Sequence, residues 1–226
     1  GYAPEDRLGY RSPHWSEPNV LAHMRYDYDP DALRLEELQS DWLQDARKHG
    51  FKWTPEEAEA HQNKLIEAQK DVHRYLNSNG LMYKPPGTYG AMQHEYDKLS
   101  NRVTDLRNTM SNQNFAKPRA PLANVNDWTG MLVRRALLDA AEKDKSKLRI
   151  ASGKMQDARY SPQAGRAEYY DKIIPNIVNK YLKPFGSKLE QPKWTIDEAV
   201  GPEPVTGAYW EADIPDELKR RLLQKG

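Results

Sequence analysis

Apolar and polar positions alternate from Asn19 to Tyr28, with Val20, Ala22, Met24 and Tyr26 on one face and Leu21, His23 and Arg25 on the other. A period of two predicts a strand. Asp29-Pro30-Asp31 is turn chemistry. Leu33, Leu35, Glu37 and Gln39 then alternate with Arg34, Glu36, Leu38 and Ser40, which predicts a second strand paired to the first as an antiparallel hairpin. A short helix follows from Asp41 to His49, capped by Asp41 or Ser40 and ended by Gly50.

The period then changes. Thr54-Pro55-Glu56-Glu57 combines a Thr cap, Pro at the first helical position and Glu three residues on, a capping box. The helix it starts runs to Asn79-Gly80, with Ala58, Leu65, Ala68, Val72 and Tyr75 at three-four spacing and His61 in one slot. After Pro85-Pro86-Gly87, the positions Met92, Tyr96, Leu99, Val103, Leu106 and Met110 keep a heptad seam. Two such helices predict an antiparallel helical hairpin over 54–112 that projects as a docking arm.

Beyond an irregular connection, Asp127 is the expected cap of a third helix buried through Val133, Ala136, Leu137, Ala140 and Ala141. Leu148–Ala151 reads as a strand, and Ser152-Gly153 turns the chain into 154–160. Tyr169–Phe185 reads as an amphipathic helix that Pro175 kinks or starts, Ala208–Ala212 as a strand, and Leu218–Leu223 as a last helix. The fold class expected is α+β (mixed α/β), a small sheet with packed helices. Its core is 1–53 with 113–226, and the helical hairpin 54–112 is an insertion.

Composition narrows the function classes. The chain is 38% hydrophobic and 30% charged, polar enough to imply long exposed helices. No stretch approaches the roughly 20 apolar residues of a membrane span, so no membrane-spanning role is expected. Cysteine is absent, which removes disulfides, thiolate metal sites and a Cys nucleophile. The start at Gly1, without Met, and the charged close are what a piece cut from a longer polypeptide, or a processed one, is expected to show. A net charge of +1 argues against nucleic-acid binding through bulk charge. The charge is uneven, however, with acids predominating from Asp27 to Glu59 and bases from Arg134 to Arg159. Two solvated faces that attract each other are the simplest explanation; a local nucleic-acid patch at Arg134–Arg159 is the alternative.

Candidate chemistry centres on His23, Glu37, Gln39 and Asp41, with Glu36 and Ser40 expected on the opposite face. Carboxylates and an amide converging at a strand end could bind a cation, orient a water or act as a general base. The alternative is a solvated strand face with a helix cap. Elsewhere the signals are weak. The histidines show no zinc-ligand spacing, Ser152-Gly153-Lys154 lacks the rest of a phosphate loop, and no nucleophile elbow is present.

Several phrases form a familiar ordered set: Pro18–His23, Glu36–Trp42 with Gln44, Ala140–Glu142 leading to Arg149–Ala151, Gln156–Tyr160, Tyr170–Pro175, Asn179–Tyr181 and Ala212–Pro215. The set resembles a domain of very large polyvalent proteins of phages and related mobile elements, and covers roughly 10–50 and 127–224 but not the hairpin. It implies a virus-encoded protein delivered with, or acting beside, the incoming DNA, in the virion or host cytoplasm. The function expected is that of an accessory domain working as a binding or protective module, with 54–112 as the arm that docks on other virion or phage proteins. No catalytic residue comes with the resemblance. Separately, the run Asp127–Tyr170 is loosely similar to the distal half of an acyl-CoA-dependent N-acetyltransferase. That similarity implies acetyl-CoA as cofactor, Trp128, Thr129 and Gly130 as a phosphate-binding turn with Arg134 beside it, and Tyr170 near the thioester.

Overall fold

The computed structural model describes residues 9–160, 164–197 and 205–225. In chain order the strands and helices are β1 (His23–Tyr28), β2 (Ala32–Gln39), α1 (Asp41–His49), α2 (Pro55–Ser78), α3 (Gln93–Asn112), α4 (Val125–Glu142), β3 (Lys147–Ala151) and α5 (Gly153–Arg159). They continue with α6 (Arg166–Glu168), α7 (Ile174–Leu182), β4 (Glu190–Asp197), β5 (Val205–Asp213) and α8 (Asp216–Lys225). The class is α+β. The chain forms two compact units, one containing Trp42–Arg119 and the other Arg11–Asp41 with 120–226.

The helical unit follows from local sequence. Thr54 Oγ1 accepts from Glu57 N at 3.2 Å and Glu57 Oε2 accepts from Thr54 N at 2.8 Å, so the capping box holds the start of α2. Leu65, Ala68 and Val72 of α2 pack on Val103, Leu106 and Met110 of α3. His61 Nε2 meets the Leu106 carbonyl at 2.9 Å, and Tyr75 donates to the Met92 carbonyl at 2.9 Å. These pairings make the two helices antiparallel. Met92, expected at the head of the seam, lies in a short 3₁₀ turn and is exposed, because the heptad packing starts only after that turn. The base is closed by α1: Trp42 stacks on Tyr10 and donates to the Pro118 carbonyl at 2.7 Å. Residues 50–52 also pair in parallel with Lys117.

The other unit is built on a five-stranded sheet of order β1-β2-β3-β5-β4. β1 and β2 form the expected antiparallel hairpin, β2 runs parallel to β3, and β5 is antiparallel to both of its neighbours. The β2–β3 register sets Leu33 beside Leu148 and Leu35 beside Ile150, all fully buried. On the other face Arg34 lies beside Arg149. Helix α4 packs on β2, α7 and α8, while α5 packs on β5.

Three expectations are corrected. Helix α4 starts earlier than Asp127: Asn124 is the cap and accepts from Asn126 N at 2.8 Å, leaving Asp127 in the first turn, where its charge suits the helix dipole. The single helix expected over 169–185 is instead a π-helical turn at Tyr169–Ile173, then α7, then a 3₁₀ turn at Lys183–Phe185. Pro175 has no N–H to donate and sits in the first turn of α7, so the wider turn falls where the regular ladder would break. Strand β4 was not expected at all.

Candidate functional site

Sequence alternation would set Glu36 and Glu37 on opposite faces of β2. A β-bulge changes that: Arg25 pairs with Glu37 and Tyr26 with Leu35, leaving Glu36 as the extra residue. Both carboxylates then meet the end of α5, Glu36 through Arg159 and Glu37 through Tyr160.

Glu36 is the centre of a closed network. Its carboxylate pairs with Arg34 from its own strand and with Arg159, whose side chain is almost fully buried. It accepts from Tyr209 Oη at 3.0 Å, and Tyr209 Oη in turn accepts from Arg159 Nη2 at 2.7 Å. Burial, reinforced by the Glu36 charge, pushes the Tyr209 phenol up to about 12. The network extends through Asp29, which accepts from Arg34 at 3.0 Å and Arg149 at 2.8 Å. Arg149 also forks onto Asp31 and donates to Glu211 at 2.8 Å. Hydrogen bonds from Lys147 foremost and from Arg149 hold the Glu211 carboxyl down at about 2, against the opposing effect of burial. A carboxylate as buried as Glu36 persists only when it is paired and hydrogen-bonded. The attraction expected between acidic and basic runs is therefore present inside this unit: Asp29, Asp31 and Glu36 meet Arg149 and Arg159. Arg135 is likewise engaged, with Asp139 at 2.5 Å.

The expected cluster at the end of the hairpin also assembles. His23 and Gln39 are register partners, and Gln39 donates to Asp41 at 3.4 Å. Two residues not singled out from the sequence join them: Ser12 donates to Asp41 Oδ2 at 2.6 Å, and His14 Nδ1 lies 3.2 Å from the same oxygen. Trp15 meets the His23 ring edge-on, with centroids 4.8 Å apart. Burial lowers the His23 pKa, and the charges of Asp41 and Glu37 oppose that shift. Glu37 faces Arg25 at 3.6 Å and Tyr160 at 3.5 Å. The His14 imidazole is two-thirds exposed and meets Asp41 through Nδ1. The Ser12 hydroxyl is directed at the carboxylate rather than at the imidazole, so these three residues do not form a nucleophile–base–acid relay. Ser40 Oγ donates to the Leu21 carbonyl. Neither His14 nor Ser12 carried a periodic signal, because both lie in the irregular lead-in.

The second expected group is dispersed. Trp128 and Thr129 are buried inside α4, with Trp128 tilted on Tyr169 at 5.7 Å and the Thr129 hydroxyl 3.0 Å from that of Tyr169. The first amides of the helix, those of Asn126, Asp127 and Trp128, all donate to Asn124. Tyr170 is buried with its hydroxyl 3.1 Å from Leu38 N and 3.3 Å from Leu38 O, and burial raises its pKa. Gln156 donates to the Glu36 carbonyl. Parallel pairing between β2 and β3 covers only Ala32–Leu35. Beyond it, the side chains of Tyr170 and Gln156 satisfy the β2 backbone.

Gly130 and Arg134 line an open groove of about 770 Å3 between α4 and α7. Its floor includes Met131, Leu138 and Ile177, and Tyr181 donates to the Gly130 carbonyl at 3.2 Å. Arg134 and Lys180 on its walls have no ion-pair partner among the described residues.

No known protein family matches the chain, and neither do curated proteins or solved structures. Among the described residues no helix is long and apolar enough to cross a membrane, and no group of three or more His, Asp or Glu side chains is arranged to hold a metal ion.

Proposed function

We propose that the chain is a virus-encoded accessory module that works by recognition, carried with or acting beside the incoming genome. The viral setting rests on the ordered phrases from Pro18–His23 to Ala212–Pro215. Recognition rests on one contrast. The carboxylates that could do chemistry are engaged internally, Glu36 by Arg34, Arg159 and Tyr209, and Asp41 by Ser12 and His14. Two of the three cations of the α4–α7 groove, Arg134 and Lys180, have no ion-pair partner among the described residues. A thermal-shift panel of acetyl-CoA, nucleotides, divalent cations and short DNA tests this directly. A ligand at about a hundred times its Kd raises stability by about 2.7 kcal/mol, which is readily measured. The expected outcome is no shift with any of these ligands, together with detection of the chain in purified particles by mass spectrometry. A shift with short DNA that fades with salt would move the reading to the Arg134–Arg159 stretch.

A second reading, an acyltransferase-like enzyme, has one observation in its favour: α4 connects towards β3, the parallel neighbour of β2, and Tyr170 lies where those strands part. Under that reading acetyl-CoA shifts the melting temperature, and Glu37→Gln and Asp41→Asn abolish turnover with the fold intact. The hydrogen bonds of Tyr170 and Gln156 to β2 and of Asn124 to the α4 amides weigh against it.

A further inference from the structure

We propose that the α4–α7 groove receives an acidic amphipathic helix of another protein, with its apolar side chains on the groove floor and its carboxylates at Arg134 and Lys180. The inference names the kind of partner for the recognition reading and rests on it. The first observation is charge. Three cations line the groove, and Arg135 is already engaged by Asp139 at 2.5 Å. Arg134 and Lys180 are both exposed and have no ion-pair partner among the described residues. Asp127, near the start of α4, is the single acid among the lining residues. The rest of the floor is apolar: Met131 is 44% exposed, and Leu138 and Ile177 continue it.

The second observation is Gly130, in the interior of α4, where glycine is among the poorest helix formers. A Cβ at this position would meet Tyr181 Oη at 3.8 Å and the Ile177 side chain at 4.0 Å, which are ordinary contact distances. The packing of α4 on α7 therefore leaves room for a side chain, and what that side chain would fill is the groove. The form of the occupant follows from length and from the walls. Asp127 to Leu138 spans about 16.5 Å, three turns of α4, and an open groove of that length covers too little of a small ligand to hold it. Both walls are helices whose backbone groups bond within the helix, so an extended peptide finds no strand edge to pair with. A helix laid in the groove needs only side chains: an apolar stripe at three-four spacing on Met131, Leu138 and Ile177, flanked by Asp or Glu for the two cations.

Fluorescence polarisation on the whole chain, with labelled designed peptides as probes, tests the site. The probe is a helical peptide of a few turns with Leu at three-four spacing and Glu beside that stripe. One control carries Lys in place of each Glu, and another has the probe's composition scrambled. The acidic amphipathic probe is expected to bind, more weakly as salt rises, and each control about tenfold more weakly or worse. Arg134→Glu with Lys180→Glu should weaken the acidic probe by about tenfold or more and strengthen the lysine control. Gly130→Leu, which fills the floor, should weaken the acidic probe as well. An unchanged melting temperature verifies that each variant is folded. No binding of the acidic probe, equal binding of the controls, or indifference to the charge reversal overturns the proposal. So does self-association of the wild type in sedimentation velocity that the same reversal abolishes, because the occupant is then a second copy. None of these results decides the recognition reading itself, which is tested by the ligand panel and by detection in purified particles.

Discussion

Glu36 illustrates how one buried charge fixes its surroundings. Its carboxylate faces Arg34, Arg159 and Tyr209, so neutralising it leaves two guanidinium groups without their shared counter-ion. Glu36→Gln should therefore lower stability by about 3–5 kcal/mol, the range for breaking a buried ion pair from one side, as measured by urea unfolding. Tyr209→Phe removes only a hydroxyl and should cost about 1–3 kcal/mol. A loss under 1 kcal/mol for Glu36→Gln would mean that the network contributes little. His23 adds a pH dependence. Burial holds its folded pKa below the ordinary value of 6.5, so the unfolded chain takes up this proton first. Stability should be complete above about pH 6.5 and fall as pH drops from there through the folded value. His23→Gln should flatten the difference between unfolding curves at pH 7 and pH 5; an unchanged slope would assign the dependence to other groups.

At the scale of elements, what the sequence revealed is what is local. The capping box at Thr54, the two-residue period of β1 and β2, and the seam through Val103 and Leu106 each follow from neighbours within a few positions. What it hid depends on distant partners. Glu36 shares the face of Arg34 by simple alternation, but it becomes the centre of the charged network only because Arg159 and Tyr209, the latter 173 positions later, close on it. Strand β4 was hidden by Pro192, which is out of place in a central strand but tolerated at the sheet edge, where β4 lies. His14 and Ser12 had no pattern at all; only Asp41 gives them a place. The helical hairpin is the most independent element. Gly50, Lys52 and Lys117 are joined by backbone hydrogen bonds of 2.8–2.9 Å, so the chain leaves and returns at one point. Replacing 54–112 with a short Gly/Ser linker should therefore leave a cooperatively folded protein, checked by circular dichroism and calorimetry. Loss of the cooperative transition would show that α2 and α3 are integral to the rest.

For the whole molecule, parts of the acidic and basic runs meet in ion pairs. Half of the basic run that could have met nucleic acid is matched from within: Lys147 by Glu211, Arg149 by Asp29, Asp31 and Glu211, Arg159 by Glu36, and Arg135 by Asp139. Arg134 and Lys180 gather at one groove without an ion-pair partner among the described residues, and that charge is the physical basis of the recognition reading. The same matching explains why a chain of net charge +1 carries such long runs of each sign. The most direct measurement is a melting curve with increasing acetyl-CoA, because it separates recognition from the acyltransferase-like alternative in one titration. The recognition reading predicts an unchanged melting temperature across the titration, since Tyr170 and Gln156 already satisfy the β2 backbone and Asn124 the first amides of α4. A saturable rise that disappears in Tyr170→Phe would contradict it and place an acyl-CoA site where β2 and β3 part.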